Sequence, residues 1–380
     1  YNSILFAKEN SMEALSYFKK LTILTIIIAP IAFANNHSNI GSMLEKITPS
    51  IVNIQVEKLL PPHLIRGNKD ASSDKHMFEL GSGVILDEKQ GLIVTNSHVI
   101  HDANTILVKL KSGSEYLAKT IGEDVESDLA LLKIHAKNLT KISIGKSSQL
   151  SVGDQVIAIG NPFGLQQTVT SGIVSGLHRN TTSNTNDFIQ TDAPINPGSS
   201  GGALVNTKGE LIGINTAILS RNGMGNIGIG FAIPSDMMIK IVDQLFKYGN
   251  VERGLLGVTL QELTPSLAVA LKSKTDHGAI INSIAKYSAA EKAGLQKGDI
   301  ITKIDDLGIY TADEAKSYVS VLRKDTTIEI KAERNNKSVT KQATIADIKQ
   351  IDNKNMFEGL TLINFDAIDS HSKRISGLMV

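Results

Sequence analysis

The sequence of 380 residues contains no cysteine. This absence excludes disulfide scaffolds, thiolate metal sites and cysteine nucleophiles, and it suits an oxidising compartment, in which a stray thiol is a liability. The formal net charge is only +1, so the sequence lacks the basic excess expected of a nucleic-acid-binding or peripheral membrane protein. The length allows two or three domains of about 100–200 residues each.

A long hydrophobic run is also missing at the N-terminus. The apolar segment Leu21–Ile31 is interrupted by Pro30 and is shorter than the ~20 residues that a membrane-spanning helix needs. Lys19-Lys20 precede this segment and Ala32-Phe33-Ala34 follow it. A basic start, a short apolar centre and an A-x-A end are typical of a secretory signal peptide.

We expect cleavage after Ala34 and translation from Met12, so that residues 1–34 comprise upstream residues and the signal peptide. The mature protein is then periplasmic and has no stable membrane span. A first mature residue other than Asn35 would contradict this cleavage site.

Short apolar or alternating segments separated by Gly, Pro, Asn and Asp fill the chain from residue 40 to about residue 246. This pattern predicts an all-β region, which we place at residues 35–250, with a closing helix capped by Ser235 and ended by Gly249. Residues 253–345 alternate strands and helices and predict an α+β domain, in which a short helix is capped by Ser288 and ended by Gly294 and a hairpin turns at Asn335-Asn336. A linker and an incomplete further domain follow at residues 346–380.

The stretch Gly198–Gly202 has two serines between glycines. Acyl transfer by serine needs a nucleophile, a base, a carboxylate that orients the base, and backbone N–H groups for the oxyanion. Ser200 fits the nucleophile, and the N–H groups of Gly198 and Ser200 fit the oxyanion donors. Taken alone, a Gly/Ser-rich hairpin loop explains the same residues.

Two partners make the catalytic interpretation stronger. His98 ends an apolar strand, and Asp128 precedes another, where a carboxylate is costly unless it is paired. The chain order His98, Asp128, Ser200 is that of chymotrypsin-type proteases. The G-x-S-x-G elbow of α/β-hydrolases is disfavoured, because strand-like residues rather than a helix follow Ser200.

The segments "TNSHVI", "DLALLKI" and "NPGSSGGALVNTKGELIGINTAI" closely resemble the HtrA/Deg family of secreted serine proteases. The resemblance runs from about Ile40 to the end of the chain. It implies an all-β double barrel of the chymotrypsin kind followed by α+β PDZ domains, with His98 as base, Asp128 as its orienting partner and Ser200 as nucleophile. Ser199 departs from the family, which usually has Asn there.

The substrate pocket is predicted to be apolar. Trypsin-like pockets that select basic residues hold a buried Asp six residues before the nucleophile, and here that residue is Pro194, followed by Ile195. The resemblance adds Ile218 and Leu219 to the pocket. We expect cleavage after small to medium apolar residues.

The segment Leu255-Leu256-Gly257-Val258 resembles the carboxylate-binding loop of a PDZ domain. Such domains bind a chain end by β-augmentation, although plain core packing also explains Leu256 and Val258. The expected partners are therefore unfolded proteins and peptides with exposed apolar C-termini, and neither nucleic acid nor a metal or other cofactor is expected.

The family resemblance further implies a homotrimer or higher homo-oligomer whose loops switch between inactive and active states. We assign the switching loops to His178–Asp187 and Leu219–Ile227. The leading prediction is an ATP-independent periplasmic serine endopeptidase that degrades misfolded proteins. The alternative is a chaperone-like peptide-binding protein whose protease is silent.

Overall fold

The computed structural model describes residues 40–59, 76–161, 167–179, 187–218, 226–347, 363–368 and 374–379. The predicted signal peptide and its start at Met12 lie outside these ranges. The chain divides into two compact units, Tyr1–Lys46 and Ile47–Val380. The first described element is helix α1 (Ile40–Ile47). No helix within the described ranges is both long enough and apolar enough to cross a bilayer.

The first lobe is a seven-stranded antiparallel sheet with the strand order β5-β4-β1-β2-β3-β7-β6. Its strands are β1 (Ile51–Leu59), β2 (His76–Asp87), β3 (Leu92–Thr95), β4 (Thr105–Lys109), β5 (Glu115–Leu117), β6 (Lys119–Asp124) and β7 (Leu129–Lys133). Inward side chains such as Ile54, Ile93 and Leu132 are fully buried in one cluster. A four-residue helix, α2 (Ser97–Ile100), follows β3.

The second lobe is a closed barrel in which β9 and β10 also pair. Its strands are β8 (Gln155–Gly160), β9 (Thr168–Arg179), β10 (Phe188–Thr191), β11 (Ala203–Asn206), β12 (Leu211–Ile218) and β13 (Gly230–Pro234). Its core includes Val156, Leu204 and Ile212. Strands β11 and β12 directly follow Ser200, so the chain has strand, turn and strand where a hydrolase elbow would need a helix.

Helix α3 (Ser235–Tyr248) leads out of the barrel and ends, as predicted, at Gly249, which has a left-handed conformation with φ +77°. The predicted cap at Ser235 is wrong. Pro234 occupies the N-cap position, and the Ser235 hydroxyl instead donates to the carbonyl of Gly145 at 2.8 Å. The hydroxyl therefore ties α3 to the barrel rather than to its own first turn.

The α+β domain has a sheet with the strand order β15-β16-β17-β19-β20, and two short strands, β14 and β21, pair beside it. Its elements are β14 (Gly254–Leu255), β15 (Val258–Glu262), α4 (Pro265–Ala270), β16 (Ala279–Ile284), α5 (Ala289–Ala293), β17 (Ile300–Ile304), β18 (Leu307–Gly308), α6 (Ala312–Ser320), β19 (Thr327–Arg334), β20 (Lys337–Thr344) and β21 (Ala346–Asp347). Leu256, Ile281, Ile304 and Ile330 belong to its buried core.

Local sequence features of this domain form as the sequence predicts. The Ser288 side chain accepts from the N–H of Glu291, and Gly294 ends α5 in a left-handed conformation. Asn335 and Asn336 both have positive φ in the hairpin turn between β19 and β20, because Asn tolerates this conformation. Beyond residue 347, β22 (Ile363–Ile368) and β23 (Arg374–Met379) form one hairpin, and the assignment of residues 346–380 to a partial domain stays a prediction.

Candidate active site

His98 lies on the one-turn helix α2, and the neighbouring β6–β7 hairpin positions it. The N–H of Ser97 and the side-chain amide of Asn96 both donate to the carbonyl of Asp128, at 3.2 and 2.9 Å. The Asp128 carboxylate accepts from the N–H of His98 at 3.0 Å and contacts His98 Nδ1 at 2.8 Å. Backbone and side chain of one residue therefore fix both the helix and the imidazole ring.

This arrangement determines which imidazole nitrogen is available for chemistry. An ionised carboxylate only accepts hydrogen bonds, so the contact with Asp128 requires a proton on His98 Nδ1. In a neutral ring the lone pair then lies on Nε2. The His98 side chain is 51% exposed, which leaves Nε2 open to the solvent and to a substrate.

Asp128 is itself held in an unusual conformation, with φ +56°. Left-handed backbone is uncommon for non-glycine residues but is tolerated by Asp. Its carboxylate has a third donor, the Thr216 hydroxyl, at 2.5 Å. Three donors from two lobes therefore determine where the carboxylate points.

Thr216, which is not among the predicted site residues, also links Asp128 to Ser200. The Ser200 hydroxyl donates to the carbonyl of Thr216 at 3.1 Å. Among the described residues, Ser200 makes no hydrogen bond to His98, so the three predicted residues meet through Thr216. The one available signal was that polar residues, Asn215 and Thr216, interrupt the apolar strand β12, where both are buried.

The loop before Ser200 forms a tight turn. Pro197 and Gly198, with φ +92°, occupy its centre, and the N–H of Ser199 closes it by donating to the carbonyl of Asn196 at 2.9 Å. Pro followed by a residue with positive φ is typical of a type II turn. In the described part of the chain, the N–H groups of Gly198 and Ser200 have no acceptor.

Ser82 on β2 fastens this loop to the first lobe. Its hydroxyl donates to the carbonyl of Gly198 at 2.7 Å, and its N–H donates to the carbonyl of Ser200 at 2.8 Å. Gly201 then passes so close that an added Cβ would lie 2.1 Å from the Ser82 carbonyl oxygen and 2.3 Å from Thr95 Oγ1. With φ +82° as well, this position requires glycine.

The predicted pocket residues are in different environments. Pro194 is exposed, and its carbonyl accepts from the Thr170 hydroxyl at 2.7 Å. Ile195 is only 1% exposed and packs in the barrel core. Ile218 is the last residue of β12, and its side chain, like all of Leu219, lies outside the described residues. The pocket therefore stays a prediction.

The predicted carboxylate-binding loop connects β14 to β15. Leu256 is buried in the domain core, and its carbonyl and that of Gly257 accept from Ala290 and Ala285. Gly257 has φ +80°. Within the described ranges, the N–H groups of Leu256 and Gly257 have no acceptor, and β15 is an edge strand of its sheet.

The first loop assigned to switching begins and ends at described residues, His178 and Asp187, whereas residues 180–186 lie outside the described ranges. His178 Nδ1 contacts Asp187 at 2.9 Å, and its Nε2 contacts Glu314 on α6 at 2.7 Å. Burial alone would lower the pKa of His178, but its bonds to the two carboxylates outweigh burial and raise that pKa to about 10. Of the second loop, Leu219–Ile227, only Asn226 and Ile227 are described.

A second polar contact joins the α+β domain to the β-rich region that precedes it. Arg253, which precedes β14, donates to both carboxylate oxygens of Asp124, at 2.8 and 2.6 Å. Asp124 also accepts from the N–H and hydroxyl of Ser127. The α+β domain therefore contacts the hairpin turn that carries Asp128.

Comparisons with known proteins agree with this architecture. Residues 81–214 match a trypsin-like peptidase domain and residues 254–345 a PDZ domain. The chain is 40% identical over 364 residues to the periplasmic serine endoprotease DegP of Salmonella typhimurium, covering 86% of this chain and 76% of DegP. It is 42% identical over 319 residues to the periplasmic pH-dependent serine endoprotease DegQ of Escherichia coli, covering 81% and 70%.

Solved structures give the same result. The HtrA-type protease AlgW with a decapeptide has 38% sequence identity and a TM-score of 0.57, covering 81% of this chain and 98% of that one. AlgW with a tripeptide has 39% identity and a TM-score of 0.60, covering 81% and 96%. The predicted fold class is thereby confirmed, and the chain belongs to the HtrA/Deg family of serine proteases.

Proposed function

We propose that this serine protease is an ATP-independent periplasmic endopeptidase that degrades unfolded proteins, with Ser200 as nucleophile, His98 as general base and Asp128 as the residue that orients the base. One observation carries the proposal. The Asp128 carboxylate bonds to His98 Nδ1 and leaves Nε2 open, while Thr216 links the same carboxylate to Ser200.

In the proposed reaction, Ser200 Oγ first turns from the carbonyl of Thr216 towards His98 Nε2, giving up one hydrogen bond worth about 0.5–1.5 kcal/mol. Oγ then attacks the scissile carbonyl carbon while its proton moves to Nε2. His98 passes this proton to the leaving amine, and the C–N bond breaks. A water molecule hydrolyses the acyl-serine by the same proton path and restores the free enzyme.

Each nucleophilic attack forms a tetrahedral intermediate with a negatively charged oxygen. This oxyanion needs hydrogen-bond donors that are already in position before the reaction. The N–H groups of Gly198 and of Ser200 itself suit this need, because they lie two residues before the nucleophile and on it, and no described residue accepts from them. Loss of one such donor typically costs about 3–4 kcal/mol of transition-state stabilisation. Ser199 replaces the asparagine usual in the family, and its N–H is already used within the turn.

For specificity, we propose an apolar pocket near Pro194, Ile195, Ile218 and Leu219 that accepts residues such as Val or Ala. No acidic residue occupies position 194, and the nearby Asp192 carboxylate accepts from the N–H of Ile173 at 2.7 Å. Profiling with peptides checks this assignment, because preferred cleavage after Lys or Arg would contradict it.

We further propose that the PDZ domain captures C-termini at Leu255-Leu256-Gly257-Val258. The edge strand β15 offers unpaired backbone for an added peptide strand, and the free N–H groups of Leu256 and Gly257 suit a carboxylate. The AlgW structures hold a decapeptide or a tripeptide. A fluorescent peptide with an apolar free C-terminus should bind, and its C-terminally amidated form should not.

The location and assembly also belong to this proposal. DegP and DegQ are named periplasmic, and the N-terminal segment has the pattern of a signal peptide. We propose that the protein is secreted through cleavage after Ala34 and forms homotrimers or larger homo-oligomers. Mass measurement of the secreted protein, with and without unfolded substrate, tests both statements.

Degradation of unfolded casein tests the catalytic assignment. The wild type and Ser199→Ala should degrade casein, whereas Ser200→Ala should not. The two serines are adjacent, so each variant controls for the other. Degradation by Ser200→Ala but not Ser199→Ala would overturn the nucleophile, and suppression of aggregation without degradation by the wild type would favour the chaperone-like alternative.

A further inference from the structure

The helix that carries His98 is too short to hold its own position. It has four residues, and isolated helices of that length are unstable in water. The contacts with Asp128 fix its N-terminal side and the ring of His98. What restrains the residues on either side of His98 therefore bears directly on where Nε2 lies.

Those residues share one acceptor, the side chain of Glu123 on β6. Its Oε1 accepts from the hydroxyl of Ser97 at 2.7 Å and contacts His101 Nδ1 at 2.7 Å. Ser97 precedes His98, and His101 follows α2. One carboxylate oxygen thus holds the chain on both sides of His98.

The Glu123 contacts differ from an ordinary surface ion pair. Ser97 is only 2% exposed, so its hydroxyl needs a partner inside the protein, and a bond to a carboxylate is stronger than a neutral one. Glu123 also pairs with Ala130 across the β6–β7 hairpin. The hairpin that supplies Asp128 therefore supplies Glu123 as well.

The charges around His101 strengthen its contact. The hydrogen bond with Glu123 and then the charges of Glu123 and Asp102 raise the pKa of His101, while burial and Lys58 oppose this effect. Lys58 is itself paired with Glu79 at 2.5 Å. A protonated His101 makes a charge-assisted bond to Glu123.

We propose that Glu123 is a positioning residue for catalysis. It binds Ser97 and His101, which lie on either side of His98, and so keeps His98 in position relative to Ser200. The inference rests on the proposed function, because it assumes that His98 is the base. Among the described residues, Glu123 makes no hydrogen bond to His98 or Ser200, so it acts through Ser97 and His101. Its effect should therefore appear in the chemical step rather than in substrate binding.

The test measures kcat and KM with a valine p-nitroanilide peptide. Glu123→Ala should lower kcat by about tenfold to a hundredfold, the size expected of a small misplacement, with KM unchanged. Glu123→Gln keeps an acceptor oxygen and should recover most of the loss. Glu88→Gln, an exposed change in the same lobe, should behave as the wild type.

A double-mutant cycle separates positioning from general destabilisation. Ser97→Ala should lower kcat on its own, and Ser97→Ala with Glu123→Ala should be no slower than Glu123→Ala, because both changes remove the same bond. If Glu123→Ala does not fold, kcat is measured instead for two other variants. One is Ser97→Ala alone, and the other combines Glu123→Gln with His101→Gln.

Two results would overturn the inference while leaving the proposed function intact. One is a folded Glu123→Ala variant with the kcat of the wild type. The other is a double variant whose fold-loss in kcat equals the product of the losses in the two single variants. The proposed function is checked separately in the same assay. If the wild type does not hydrolyse the peptide or casein, or if Ser200→Ala does, the proposed function fails and the inference fails with it.

Discussion

His98 and His178 each have a carboxylate at Nδ1 but differ in what surrounds Nε2. His98 contacts Asp128 and is 51% exposed, with Nε2 open. His178 contacts Asp187 at Nδ1 and Glu314 at Nε2 and is 32% exposed. The second carboxylate changes the chemistry, because it keeps His178 protonated and occupies the nitrogen that a base would use.

The comparison shows that a histidine–carboxylate pair alone does not indicate a catalytic base. A base needs one nitrogen fixed and the other free, and of these two histidines His98 meets both conditions. His178 instead serves as a cationic link between β9 and α6. The cavity beside it, of about 970 Å³, is lined by both domains and includes Lys240 and Tyr318.

The largest expected effect separates the two histidines directly. His98→Gln removes the proposed base and should lower kcat/KM by roughly 10⁴- to 10⁶-fold. His178→Gln should keep wild-type activity towards a short peptide, because His178 has no free nitrogen to lose. Steady-state kinetics on both variants check this, and comparable losses in the two would break the distinction.

The two aspartates give the next comparison. Asp128→Asn can donate to Nδ1 and so favours the wrong tautomer of His98, and a loss of about 10⁴-fold in kcat is expected. Asp187→Asn removes one of two carboxylates from His178 and should lower the pKa of His178 without a comparable loss of kcat. Rate measurements across pH, with NMR titration of His178, distinguish these outcomes.

A smaller effect is expected at Thr216. Thr216→Val removes one of three donors to Asp128 and should lower kcat by about tenfold, which corresponds to one hydrogen bond to a charged group. Thr216→Ser keeps the hydroxyl and should restore the rate. Measurement of kcat for the two variants tests this prediction. Equal kcat values for Thr216→Val and Thr216→Ser would show that the hydroxyl has no part in orienting the Asp128 carboxylate.

The smallest effect concerns pH and the contact between His178 and Glu314. The pKa of His178 is raised from 6.5 to about 10, so the stabilisation from this contact is full below pH 6.5 and is lost as the pH rises through about 10. The pKa of Glu314 is lowered from 4.5, because its bonds to His178 and to backbone N–H groups outweigh burial. The stabilisation from Glu314 is therefore present above pH 4.5.

Distance measurements between the protease and PDZ domains check the pH effect. Because the sequence has no cysteine, single cysteines at the exposed positions Lys208 and Lys297 can be labelled with a fluorescent pair. Energy transfer should stay constant from pH 5 to 6.5 and change as the pH rises towards 10. The change should be absent in His178→Gln, and an unaltered response there would contradict the link.

Features encoded within a few residues could be predicted from the sequence. The cap at Ser288, the turn at Asn335-Asn336 and the strand after Ser200 all depend on neighbouring residues. The Ser235 cap failed because a distant carbonyl, that of Gly145, competes for its hydroxyl. Local preference is decisive only where no tertiary partner is available.

The parts of the site that escaped prediction join residues far apart in the sequence. Thr216 reaches Asp128 across 88 positions, and Glu123 reaches Ser97 across 26. A threonine within an apolar strand gives no sign of which carboxylate it will meet. The candidate triad could be predicted from chemistry and chain order, but the residues that support it depend on how the two lobes pack.

The hydrogen bonds from Ser82 to Gly198 and Ser200 have a consequence for the synthesis and folding of each chain. The first lobe, synthesised first, has His98 and Asp128, and the loop that carries Ser200, the proposed nucleophile, obtains its anchor only when the barrel docks against β2. Under the proposed assignment, a nascent chain that has made only the first lobe is therefore inactive, and proteolysis becomes available once the second lobe has been synthesised and has docked.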